Sequence, residues 1–287
     1  MTQTLVNGLL LGATYALLAV GYTLVFGVMH LLTLAHGEVF MAAGVLALLV
    51  SDALGAPLVV AGLIAVAIGA ALSAATDLVS FRPVGYQRPI AAAVSTIGLA
   101  IAIEHTVLRV RGSETAVAVP FSVPLTDWQI GPILVSTVQL ASLLLAAAVM
   151  VTTTQFVRRS RWGMAMRAFA HDPGAVALLG VPIRRLTLFT LAIAGALAGI
   201  AAFLLALRTG SVSPTTGLDL GLTGLAVMTL GGLGSLPGAM AAGIGLGVVE
   251  SMVVYAGFTG YQAAIPWVLL VVVLLTRPQG LFGEGTR

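Results

Sequence analysis

The sequence has no cysteine and no lysine, and only 6% aromatic and 8% charged residues. Each scarcity excludes something. Without cysteine there can be no disulfide, thiolate metal site or cysteine nucleophile. Without lysine there is no G-x-x-x-x-G-K-[ST] loop, so this chain carries no ATP site of that type. Charge this sparse does not suit a surface facing water, since soluble domains are about a quarter charged. The net charge of +3 rests wholly on thirteen arginines. In so apolar a chain they read as an orientation signal for a lipid bilayer, with no nucleic-acid partner implied.

What remains is apolar. Of 287 residues, 59% are hydrophobic, and the mean hydropathy is +1.09. A membrane barrel would alternate polar and apolar residues in segments of about ten, whereas the apolar blocks here run to twenty or more. The fold class is therefore all-α: a polytopic transmembrane helical bundle of about eight spans with interrupted helices, forming one domain over 1–287. The N-terminal MTQTLVNGLL has no basic n-region and reads as the start of a retained span rather than a signal peptide.

The expected spans cover 5–29, 36–50, 57–81, 90–108, 132–157, 186–207 and 263–276, with 220–256 apolar but broken by GGLGSLPGA. Residues 218–232 are too few for a comfortable crossing of roughly 30 Å at 1.5 Å per residue, which suggests a re-entrant half-helix or a short tilted span. Residues 111–131 and 208–219 read as aqueous loops, the first with room for a short hairpin. Six arginines fall between Arg158 and Arg185, and the positive-inside rule puts that segment in the cytoplasm. Alternation then places the N-terminus outside and the C-terminus inside. Arg109, Arg111 and Arg208 run against the rule.

Two stretches look alike, LLTLAHGEVFMAAGVLAL at 31–48 and LGGLGSLPGAMAAGIGLGV at 230–248. Paired, interrupted apolar segments point to a transport pathway, although MAAG can also recur by chance in an alanine-rich chain. Small residues share a helix face at Gly8, Gly12 and Ala16, and another at Ala239, Gly243, Gly247 and Ser251. Such faces let helix backbones approach closely in lipid.

Carboxylates at membrane depth cost about 2.5–3.5 kcal/mol on insertion scales, so each should face protein or a cavity. Asp77 near Arg82 and Glu104 near Arg109 fit ion pairs close to the aqueous boundary. Glu38 and Glu250 fit either a polar lining or a structural cap. His36 has no second ligand at useful spacing, so no metal site is expected, and a hydrogen-bonding role at a helix end suits it better. Ser235 and Pro237 open a helix as N-cap and first-turn residues. If that helix began inside the membrane, its free N–H groups could face a carboxylate; otherwise it is a plain turn.

The stretch RAFAHDPGAVALLGVP, residues 167–182, is the most informative. Asp172 is a good N-cap and Pro173 a good first residue, giving two short helices, the second ended by Gly180. Ala175, Val176, Leu178 and Leu179 form a small apolar face. A linker between spans needs only a few residues, so a structured loop over 158–185 reads either as a docking surface or as a membrane-surface helix.

The pattern R-A-x-A-x-D-x-x-x-x-A-L-x-G-V, residues 167–181, resembles the cytoplasmic coupling loop of ABC-importer permeases. More narrowly, it is similar to LivH-type permeases of branched-chain amino-acid importers. NGLLLGATYALLAVGYTLVFGV (7–28), LAHGE (34–38), TLGGLGSLPGA (229–239) and RPQGLFG (277–283) extend that resemblance in order over nearly the whole chain. His171 departs from it, where the family commonly has an acidic residue. The chain lacks the long tail and extra N-terminal span often seen in the partner permease.

The resemblance implies the ABC-importer permease fold and half of a pore in a bacterial inner membrane, not an enzyme. It implies a second, LivM-like permease, two ATPase subunits that bind ATP and Mg, and an extracytoplasmic binding protein. Coupling is expected at Arg167, Ala168, Asp172, Ala177, Leu179 and Gly180. The pathway is expected at His36, Gly37, Glu38, Gly231, Gly232, Gly234 and Glu250. The implied substrates are branched-chain or other hydrophobic amino acids, with urea, short amides and aromatic or organic acids as alternatives within the family. A stand-alone carrier or channel is the alternative of another class. An intramembrane enzyme would need a nucleophile–base or metal set that the sequence does not offer.

Overall fold

A computed structural model describes residues 2–120, 127–130 and 133–283. The helices are α1 (Thr2–Met29), α2 (His36–Leu54), α3 (Leu58–Thr76), α4 (Arg82–Val84), α5 (Pro89–Arg111), α6 (Thr137–Arg159), α7 (Arg161–His171), α8 (Pro173–Leu178), α9 (Ile183–Thr209), α10 (Thr216–Gly231), α11 (Leu236–Tyr255) and α12 (Ile265–Thr276). A π-helical turn, Asp77–Phe81, joins α3 to α4, and a 3-10 turn, Thr259–Ala264, leads into α12. Among the described residues, eight helical segments are long and apolar enough to cross a membrane, and α10 is shorter. The chain is thus an all-α, multi-pass membrane protein.

Strands are minor. β1 (Val117–Ala118) pairs antiparallel with β4 (Ser211–Val212), and β2 (Asp127–Ile130) with β3 (Ile133–Ser136). The β1–β4 pair joins the two loops expected to be aqueous and so sets them at the same end of the bundle. Gly210 makes the turn into β4: its φ of +75° is one that a side chain would resist. The 121–126 and 131–132 portions of the first loop lie outside the described residues.

α1 is the central helix, buried from Leu10 to Val25. Lipid gives helices little hydrophobic reason to associate, so close packing of small residues has to hold them. The two small-residue faces meet each other. A Cβ on Gly12 would lie 2.7 Å from Ile244 Cα, one on Gly8 2.8 Å from Val248 Cα, and one on Gly243 2.6 Å from the Ala16 backbone. The same device joins α3 to α9, where Gly69 lies against Gly195 and Ala65 against Gly199.

These two contacts belong to a wider pattern. α1 packs on α11 as α9 packs on α3; α10 lies on α1 as α2 lies on α9; α2–α3 matches α10–α11, and α2–α5 matches α10–α12. α1, α2, α3 and α5 thus form one set and α9, α10, α11 and α12 a second. The sets are inverted, because α1 and α9 run antiparallel: Leu10 and Thr14 lie beside Leu204 and Leu207 at one end, and Leu24 and Val28 cluster with Leu186 and Leu191 at the other. This corrects the pairing read from the repeated MAAG. The 31–48 stretch forms α2, whose counterpart is α10. The second MAAG is on α11, whose counterpart is α3.

Candidate functional site

α7 and α8 project from the end of the bundle where α6 finishes and α9 begins. The Ser160 side chain accepts a hydrogen bond from Gly163 N at 2.8 Å and starts α7. Gly163, Met166 and Phe169, spaced by three, turn inward. Trp162 rests on Phe189 of α9 with ring centroids 5.0 Å apart. Arg167 reaches back to donate to the Val157 carbonyl. Asp172 then caps α8, its Oδ1 accepting from Ala175 N at 2.9 Å. Val176 is the single buried residue of α8. Leu178 and Leu179 are 91% and 80% exposed. Gly180, with φ +75°, turns the chain toward α9.

Of the expected coupling residues, Arg167, Asp172 and Gly180 therefore fix the loop's shape, and Ala168, Ala177 and Leu179 lie on its exposed side. The apolar face read from sequence divides: Val176 anchors the loop, while Leu178 and Leu179 point away. Leu178 and Leu179 thus form an exposed apolar tip on a short helix with an anchored base.

The expected pathway residues fall in three places. His36, Gly37 and Glu38 open α2 inside the bundle. Residues 30–35 run back along α1, so the ring of His36 meets Gly21, eight residues or roughly 12 Å short of the end of α1. α10 likewise begins inside, and the two N-termini meet where Gly37 faces Gly217 and Gly221. The Glu38 carboxylate occupies the space left by Gly217. Glu38 is 4% exposed, and its Oε2 has no hydrogen-bond partner among the described residues. His36 packs edge-on to Tyr22, with centroids 4.6 Å apart, and its Nε2 also lacks a hydrogen-bond partner among the described residues. The hydrogen bond expected of His36 is thus not made through Nε2. Leu34 N donates to Thr96 Oγ1 of α5 at 3.0 Å, which pins the non-helical link.

Gly231, Gly232 and Gly234 form the α10–α11 turn, away from that crossing. The C-terminal RPQGLFG segment lies over this turn: Leu281 N donates to Leu230 O at 2.8 Å and Phe282 N to Gly231 O at 3.1 Å. Ser235 caps α11, accepting from Gly238 N at 3.2 Å. The helix start read at SLPGA is therefore a turn closed by the chain's own C-terminal segment. Glu250 lies at the opposite end, 2% exposed, its Oε2 accepting from Tyr15 OH at 3.0 Å and Gln262 Nε2 at 3.3 Å. A cavity of about 320 Å³ opens beside it, lined by Asn7, Arg208, Ser251 and Gln262 among others.

Among the described residues, no three His, Asp or Glu side chains converge to hold a metal ion, and Arg82–Asp77 is the sole ion pair. The expected Glu104–Arg109 pair is not formed.

Residues 4–274 match the family described as "Branched-chain amino acid transport system / permease component". The chain belongs to this permease family. It is similar to the high-affinity branched-chain amino acid transport system permease protein BraD of Pseudomonas aeruginosa, at 33% identity over 98% of this chain and 95% of that protein. It is similar to LivH of Escherichia coli K12 at 34% identity with the same coverage. It also matches part of LivM, the permease protein from the same strain, at 35% identity over 48% of this chain and 33% of that one. Among solved structures it resembles a chain of PsaBC from Streptococcus pneumoniae in complex with Fab, with TM-score 0.55 and 12% identity, covering 96% of this chain and 92% of that chain. That likeness concerns the fold alone.

Within this permease, the sequence reading missed partners that only tertiary contact reveals. Tyr22, Gly217, Gly221 and Thr96 complete the crossing around Glu38, and Tyr15 and Gln262 hold Glu250. Ser160 was missed as well; serine is a favoured N-cap residue, but this one lay between the expected span and the expected loop helix.

Proposed function

We propose that this permease forms half of the translocation pore of an ATP-driven importer for branched-chain or other hydrophobic amino acids. The observation that carries the proposal is the pair of exposed leucines, Leu178 and Leu179, on a loop locked by the Ser160 and Asp172 caps. An ATPase subunit would seat on this tip, and the second half-pore would bring a second ATPase. ATP and Mg belong to those subunits. The partial match to LivM supports a related second permease as the other half. An extracytoplasmic binding protein would deliver substrate. The names of the similar proteins support the substrate class.

In this reading the α7–α8 end is cytoplasmic in a bacterial inner membrane, with the N-terminus outside and the C-terminus inside. The arginines of that loop favour this orientation. Alternating access would work at the crossing of α2 and α10, with His36, Gly37 and Glu38 beside the path. Helices that begin at depth, with their N-termini facing the path, are a recurring architecture for such sites. Glu250 would steady the outer end of the path, and Gly231, Gly232 and Gly234 its inner turn.

Mild-detergent purification of the tagged chain from its own membranes tests the proposal. The expected result is recovery of a second permease and two ATPase subunits, with ATP hydrolysis, and binding-protein-dependent leucine uptake after reconstitution. Recovery of the chain alone, without ATPase activity, would overturn it.

A further inference from the structure

The segment 77–88 joins α3 to α5 at the α7–α8 end, and its bonding depends on a π-turn. Arg82 N donates to Asp77 O, five residues back. The side chains repeat that spacing: Arg82 Nε donates to Asp77 Oδ2 at 2.7 Å. In an α-helix each residue advances about 100°, so residues five apart would face roughly 140° away from each other. The ion pair therefore exists because the turn is π-helical. Such bulges within helices gather at functional sites.

The pair is one part of a larger knot. Tyr86 OH donates to Asp77 Oδ1 at 2.6 Å and lies 3.2 Å from Thr187 Oγ1 of α9. Arg82 also donates to the Arg184 carbonyl at 3.4 Å, and Thr187 Oγ1 donates to the same carbonyl at 3.2 Å. Asp77 and Thr187 are fully buried. Burial, and then the bond to Asp77, hold the Tyr86 phenol above its ordinary pKa, so it stays a donor. Arg184 and Thr187 lie in the first turns of α9, a few residues beyond the tip of α8. A second link is apolar: Phe81, the last residue of the π-turn, clusters with Met166, Phe169 and Val176 of the loop. The 77–88 segment is thus bonded to the start of α9 and shares an apolar cluster with α7 and α8.

We propose that Asp77, Arg82 and Tyr86 are a positioning network that carries displacement of α7 and α8 into the 77–88 segment, with the π-turn as its two-state element. In one state the π register holds the knot. In the other the turn relaxes to an α-helix, rotates the residues C-terminal to it by about 100°, and withdraws Arg82 and Tyr86 from Asp77 together. Stripping both partners from a buried carboxylate is costly, so the network opens as a unit. The inference rests on the coupling role proposed for α7–α8.

The test uses the complex reconstituted in proteoliposomes with its ATPases and binding protein, measuring leucine uptake per ATP hydrolysed. Tyr86→Phe and Asp77→Asn should keep the ATPase subunits bound and hydrolysis within about twofold, while uptake per ATP falls tenfold or more. The reversed pair, Asp77→Arg with Arg82→Asp, should recover more of the ratio than either single change. A wild-type ratio in both Tyr86→Phe and Asp77→Asn would overturn the network. Failure of the unaltered chain to retain ATPases would instead count against the coupling role. A second measurement is independent of assembly of those variants. Because the chain has no cysteine, spin labels can be placed by Gln87→Cys and Leu63→Cys on exposed positions of an otherwise unaltered chain. Their distance should change between nucleotide-free and ATP-bound complexes. The same distance in both states would also overturn the proposal.

Discussion

Replacing Leu178 and Leu179 with alanine isolates the docking term, because neither side chain contributes to the permease's own packing. They are 91% and 80% exposed, whereas their neighbour Val176 is 2% exposed and anchors the helix. Leucine to alanine removes three carbons. At about 0.8 kcal/mol per buried methylene, full covering by a partner makes each leucine worth about 2.4 kcal/mol more than alanine. Incomplete burial lowers this to about 2 kcal/mol, or roughly thirtyfold in affinity at 1.4 kcal/mol per tenfold. The double replacement should weaken ATPase-subunit binding by about three orders of magnitude. Alanine is a good helix former, so α8 should persist. The assay is titration of purified ATPase subunit onto the detergent-solubilised permease, alongside thermal unfolding of the permease alone. Binding should collapse while the unfolding temperature stays put. A double variant that binds within threefold of the parent would refute the docking assignment, and so would one that loses binding only in step with its own stability.

Particular contacts set three further outcomes. Gly180→Val forces a β-branched residue into φ +75°, a conformation costing about 1–3 kcal/mol; membrane insertion should be normal and uptake lost, and full uptake would remove the coupling role of this turn. Gly12→Leu places its first side-chain carbon 2.7 Å from Ile244 Cα, so α1 and α11 must separate; the detergent-extracted protein should aggregate on size exclusion, and a monodisperse peak of normal stability would show that the contact is dispensable. Glu250→Ala leaves Tyr15 and Gln262 without their shared acceptor, at about 1–3 kcal/mol per orphaned group. Its unfolding temperature should fall clearly below that of Glu250→Gln, which keeps an acceptor oxygen, and equal values would argue against a structural role for the carboxylate.

The membrane spans were legible because lipid imposes a length and an apolar composition that few other environments require. The loop was legible because Asp172-Pro173 and a closing glycine are local signals, set by the orphan N–H groups of one helix end. The Asp77–Arg82 pair was legible as proximity, but not as a π-turn: nothing in a five-residue spacing says that the backbone will add a residue to the turn. The inverted relation was not legible. It lives in which faces meet, not in which residues recur, and the repeated MAAG pointed to the wrong partner. The same limit split the expected pathway. LAHGE and GGLGSLPGA look alike as glycine-marked breaks, yet one begins a helix inside the bundle and the other is a turn closed by RPQGLFG. The contacts of Gly37 with Gly217 and Gly221 at the first, and the hydrogen bonds from Leu281 and Phe282 at the second, tell them apart.

The inverted sets also explain why the two ends of the bundle are built differently. α3 and α11 are counterparts, and each ends in an irregular turn held by a buried carboxylate. At the loop end Asp77 holds Arg82 and Tyr86 around a π-turn. At the opposite end Glu250 holds Gln262 of the 3-10 turn, together with Tyr15 of α1. A symmetric scaffold of this kind has no preference for opening to one side or the other. α6 and the α7–α8 loop have no counterpart in the second set, and Met166, Phe169 and Val176 of the loop share an apolar cluster with Phe81 beside Asp77. If ATPase subunits seat on Leu178 and Leu179 as proposed, the asymmetry needed for directed transport would enter at this end, through Phe81 of the π-turn and Thr187 at the start of α9.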